Sequence, residues 1–126
     1  DLKGLMGDNF QNVQVILSNL VTSKYDKVPD QIRIIHAHAL ELSKRPPDFV
    51  KSDGDKRMFT NYAYQLESST ANMLTVLDVL ILHDRTPVEP GKLNIDYLRV
   101  VAASQFGQIV TTCVLCHNQF RRHPLN

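Results

Sequence analysis

Hydrophobic positions along this chain recur at alternating steps of three and four. Leu2, Met6, Phe10, Val13, Leu17 and Leu20 make one such row, and Val28, Ile32, Ile35, Ala39 and Leu42 a second. The third runs through Phe59, Tyr62, Leu66, Ser69, Met73, Val76 and Leu80, the fourth through Leu98, Ala102, Phe106, Ile109, Cys113, Cys116 and Phe120. This spacing keeps an apolar stripe facing one neighbour along an α-helix. Proline and glycine punctuate the chain at Ser23 to Pro29, Arg45 to Asp55 and Asp84 to Leu93, leaving four segments long enough to be helices. Pro29 suits a first helical turn, and Asn94 suits an N-cap with Asp96 in the turn after it. Arg121, Arg122 and His123 place positive charge at the end of the fourth segment, and Pro124 stops it. Strand signals are nearly absent. Four amphipathic helices with short connections predict an all-α, antiparallel four-helix bundle, with residues 1–126 as a single domain.

Composition fits that expectation. At 126 residues the chain can bury one core, and 43% apolar against 21% charged residues is ordinary for a globular protein. A formal net charge of +1, with no massed basic patch, argues against nucleic acid as a partner. The apolar runs are interrupted by polar residues every few positions, so no membrane span is expected. The chain opens at Asp1 without a signal peptide, as a mature secreted protein would once its leader is cut off.

The only cysteines are Cys113 and Cys116, and they stand in Cys113-Val114-Leu115-Cys116-His117. C-x-x-C-H is the attachment pattern of c-type haem. Residues three apart share a helix face, so two thiols can reach the two vinyl groups on one porphyrin edge. His117 follows directly and can give an imidazole nitrogen to the iron. Haem c, bound covalently through Cys113 and Cys116, is therefore the expected cofactor. Three rivals stand beside it. A thioredoxin-like redox pair needs a βαβ context that is missing. A structural zinc site wants four ligands, and no second cluster lies nearby. Plain burial of two small apolar residues is the third.

The stretch from Cys113 to Arg121, together with Leu5-Met6-Gly7-Asp8-Asn9-Phe10 near the start, resembles the cytochrome c-prime family, the class II c-type cytochromes. That family combines a four-helix bundle with C-x-x-C-H near the C-terminus. Phe120, three residues after the histidine, and Arg121, four after it, match the family pattern. The likeness covers the whole chain in architecture and is sharp at the two ends. It implies periplasmic localisation, transient redox partner proteins, and room for a homodimer through the first two helices. It also implies that Arg121 lies near the haem, where it could pair with a propionate.

The family divides at the sixth iron position. The Leu5-Met6-x-Asp8-Asn9 pattern is similar to the methionine-ligated branch, whose members are low-spin electron carriers. On that alignment Met6 joins His117 as an iron ligand. A register shifted by three residues puts Lys3 opposite the iron and makes Met6 a core residue. The distal side would then lack a methionine ligand, and the protein would bind nitric oxide or carbon monoxide. Met58 and Met73 belong to the third helix, and Met73 reads as core. His36, His38, His83 and His123 read as surface or capping histidines. Gly4, Gly7 and Gly107 interrupt predicted helices and could permit close helix or haem approach. No nucleophile–base pairing or phosphate loop appears, so no enzyme is expected. A helical interaction module with a thiol pair and no haem is the reading from another class.

Overall fold

The computed structural model describes residues 2–86 and 94–120, with backbone alone at Leu2, Lys3, Leu5 and Met6. Among the described residues there are four α-helices and no strand: α1 (Leu2–Val21), α2 (Pro29–Lys44), α3 (Asp53–Arg85) and α4 (Ile95–Phe120). A short 3-10 turn, Tyr25–Lys27, links α1 to α2. The connections fall where proline and glycine predicted them, and Pro29 occupies the first turn of α2.

Local chemistry sets the ends. Asn94 Oδ1 accepts the backbone N–H of Tyr97 at 3.0 Å, which caps α4 as the sequence suggested. The start of α3 differs from expectation. Ser52 Oγ accepts the N–H of Asp55 at 3.0 Å, and Asp53 and Asp55 lie in the first turn. Capping and favourable acidic charge together carry the helix back across Gly54, which the sequence placed in the loop. α1 closes with Ser23 at φ 58, the N–H of Ser23 on Leu20 O at 3.1 Å and that of Lys24 on Asn19 O at 2.8 Å. This is a Schellman closure with serine where glycine is usual. A side chain in the left-handed region is strained. Ser23→Gly should therefore stabilise the protein by about 0.5–1 kcal/mol. Urea denaturation checks it, and an unchanged midpoint would mean that the strain is absent.

The helices run antiparallel in sequence. His36 on α2 meets Thr70 on α3, whereas Leu42, further along α2, packs in a cluster with Phe59, earlier on α3. The central core joins all four helices through Ile16, Ile32, Ile35, Leu66, Met73, Leu77, Leu80, Ala102, Phe106 and Ile109. A second cluster, Val50, Phe59 and Phe120 with Phe49, Tyr62 and Cys116 against it, fills the end where α4 finishes. The rows predicted for α2, α3 and α4 face inward: Ile32, Ile35, Met73, Leu80, Ala102 and Ile109 are at most 1% exposed.

The α1 row is turned instead. Ile16 is fully buried, with Val13 and Leu20 partly so, while Phe10 is 64% and Leu17 51% exposed. α1 packs mainly against α2, and among the described residues no comparable packing joins it to α4. A helix covered on one narrow side buries only the residues over that side, so half of an otherwise regular apolar stripe stays outside. On α4, Tyr97, Val100, Val114 and Leu115 likewise face out.

α4 is long and apolar. No Asp, Glu, Lys or Arg falls between Arg99 and Phe120, and the mean hydropathy of its most apolar stretch reaches 1.3. By length and composition it could cross a membrane, although its inner face packs on α3. Gly7 and Gly107 have open space where a Cβ would lie, so no close approach of the described atoms accounts for them.

Candidate functional site

The last two turns of α4 bring Cys113, Cys116 and His117 together. At a rise of about 1.5 Å per residue the two sulfurs' Cα atoms are separated by roughly 4.5 Å along the axis, on one side of the helix. Both thiols are free, with no disulfide between them. Each is half-buried: Cys113 packs against the central core and Cys116 against the aromatic cluster. His117, at the edge of the same face, is exposed.

Phe120 anchors this turn. Its ring is 5% exposed and meets Phe59, Phe49 and Tyr62 edge-on, at centroid distances of 5.4, 6.3 and 6.5 Å. Such edge-to-face pairs contribute beyond the area they bury. The aromatic that follows the histidine by three residues thus ties the C-x-x-C-H turn to α3 and to the 45–52 connection. Phe49 belongs to no helical row, and nothing in its spacing pointed to this role.

Burial pushes both thiols up from their ordinary value of 9.0. Cys116 reaches about 12, through burial first and the neighbouring Cys113 charge second, and Cys113 rises through burial alone. Redox-active C-x-x-C pairs need the opposite, a depressed pKa at a helix N-terminus or beside a cation. Here the pair sits near the C-terminal end of α4, where the helix dipole disfavours a thiolate. No group of three or more His, Cys, Asp or Glu side chains among the described residues could hold a metal ion. Among the described residues, the surroundings that thiol exchange or a structural zinc would use are not seen.

The remaining predicted residues fall as follows. Met6 and Lys3 are both in the first turns of α1, and their side chains lie outside the described residues, as do Arg121, Arg122 and His123. Met58 is exposed and Met73 is fully buried core. The α2 histidines are not surface or capping residues. His36 Nδ1 lies 2.8 Å from Thr70 Oγ1 and 3.2 Å from Glu67 O, bridging α2 to α3. His38 Nδ1 lies 2.7 Å from Asn9 Oδ1, bridging α2 to α1. Interhelical pairs of this kind leave no trace in spacing along one helix. The Nδ1 atom of His83 is buried without a hydrogen-bond partner.

Two sulfurs and an imidazole on one helical face form a donor set that could hold a thioether-linked, histidine-ligated porphyrin. The class defined by fold and site is thus an all-α, four-helix protein with a C-x-x-C-H turn near the end of its last helix. No known protein family, curated protein or solved structure is matched by this chain.

Proposed function

We propose that this protein is a monohaem c-type cytochrome acting as a periplasmic one-electron carrier, resembling the methionine-ligated branch of the cytochrome c-prime family. The observation that carries the reading is the donor set of Cys113, Cys116 and His117 on one face of α4, with both sulfurs free. The thiols of Cys113 and Cys116 would each add across a vinyl C=C. A new S–C bond forms, the thiol proton ends on the neighbouring carbon, and no oxidant is consumed. Haem, once bound, supplies an iron that gains or loses one electron. His117 and Met6 would be the residues that hold the iron, and a thioether ligand raises the reduction potential. Arg121 would offer its charge to a propionate. Phe120 packs the attachment turn against α3 and the 45–52 connection. Redox partners would be met briefly, through a small interface.

The test is the visible and near-infrared spectrum of protein produced in a host with haem-attachment machinery, oxidised and reduced, with carbon monoxide added. A low-spin spectrum with a sulfur-to-iron charge-transfer band, little changed by carbon monoxide, is expected. Met6→Ala should convert it to high spin. A high-spin wild type that takes up carbon monoxide promptly would instead make this a binder of carbon monoxide or nitric oxide. Colourless protein would leave a helical interaction module.

A further inference from the structure

In α1 the described apolar anchors begin at Val13 and continue through Ile16 and Leu20. Before them, Gly4, Gly7, Asp8, Phe10 and Gln11 are all exposed, and only Asn9 and Asn12 are half-buried. The first half of α1 therefore has little apolar burial of its own among the described side chains. Among the described side chains, one polar contact joins it to another helix. His38 Nδ1–H donates to Asn9 Oδ1 at 2.7 Å, in a part-buried position between α1 and α2. Among the described residues it is the only side-chain hydrogen bond that joins α1 to another helix. His38 is itself well placed to hold firm, because α2 is anchored on both sides of it by Ile35 and Ala39, each fully buried. A short, directional bond fixes both rotation and axial height, which apolar contact alone does loosely. Asn9 lies three residues after Met6, less than one turn away, so whatever fixes Asn9 fixes Met6.

We propose that Asn9 and His38 are positioning residues for the distal iron ligand. Their hydrogen bond holds the first half of α1 at one height and rotation, and so keeps Met6 in register with the site that α4 carries. This rests on the reading of Met6 as a ligand given above. Neither residue touches the iron.

The experiment uses the holoprotein. Wild type, Asn9→Ala, His38→Leu, the double variant and the conservative Asn9→Asp are compared by near-infrared absorption, carbon monoxide uptake and thermal denaturation. Asn9→Ala is expected to weaken the sulfur-to-iron band and to raise the carbon monoxide binding rate roughly tenfold, the factor to which a typical net hydrogen bond corresponds. Asn9→Asp, which keeps an oxygen acceptor, should retain the band. The double variant should be no worse than either single one, because all three lose the same bond. A lower melting temperature with an unchanged band and rate would show a merely structural contact and overturn the proposal. A wild type that itself lacks the band would overturn it by a different route, since Met6 would then not be the ligand. Should His38→Leu fail to fold, the two Asn9 variants decide the matter.

Discussion

Phe120→Ala is expected to lower stability by about 3–5 kcal/mol, the usual loss for a buried phenylalanine cut back to a methyl. The ring is 5% exposed and meets three aromatic neighbours edge-on. Its removal takes away the buried area and those edge contacts, and it leaves a void beside Val50 and Phe59. For a chain of this size the melting temperature should fall by roughly 10–20 °C. Phe120→Leu, which keeps most of the volume, should lose much less. Urea denaturation followed by circular dichroism gives both values. A loss below about 1 kcal/mol would mean that the end of α4 is frayed and that the C-x-x-C-H turn is not held as described. The experiment bears on function too, because the same ring anchors the turn that presents both sulfurs.

Replacing Cys113 and Cys116 together with serine is expected to remove covalently bound haem altogether. On the proposed reading no other thiol exists to form a thioether, because the chain has only these two cysteines. Single replacements should each leave one link and a shifted spectrum. Denaturing electrophoresis stained for haem, with the mass of the intact protein, measures the outcome. Haem that survives the double replacement would sink the attachment model. The haem-free chain offers a second check through its buried thiols. Unfolded, both ionise near 9.0, while folded Cys116 stays protonated until about 12. Between those values the unfolded chain binds fewer protons, so the stability of the haem-free wild type should be fully present below pH 9 and fall as pH rises through that window. The double serine variant should lack this fall.

α1 shows how a correct pattern can be only half covered. Its row from Phe10 to Leu17 has the right period for a helix, and a helix forms there. Period alone does not tell how many neighbours cover the helix or at what rotation. Ile16, outside the predicted row, became the buried residue because α2 is the principal neighbour. The α2 histidines carry the same lesson. Taken singly, each looks like a polar residue bound for the surface. Only when α2 lies between α1 and α3 do His36 find Thr70 and His38 find Asn9.

The sequence by itself determined the number of helices among the described residues, their approximate ends, the inward faces of α2, α3 and α4, and the placing of C-x-x-C-H on one helix. All of these rest on contacts within one turn of a helix or on covalent spacing, which are local. Tertiary structure alone decided which side of α1 is covered and that the thiols lie half-buried with raised pKa values. It likewise decided that Phe120 gathers Phe49, Phe59 and Tyr62 around the attachment turn. These depend on which residues meet across tens of positions of chain, and that is a property of packing geometry, to which no spacing along a single helix is sensitive.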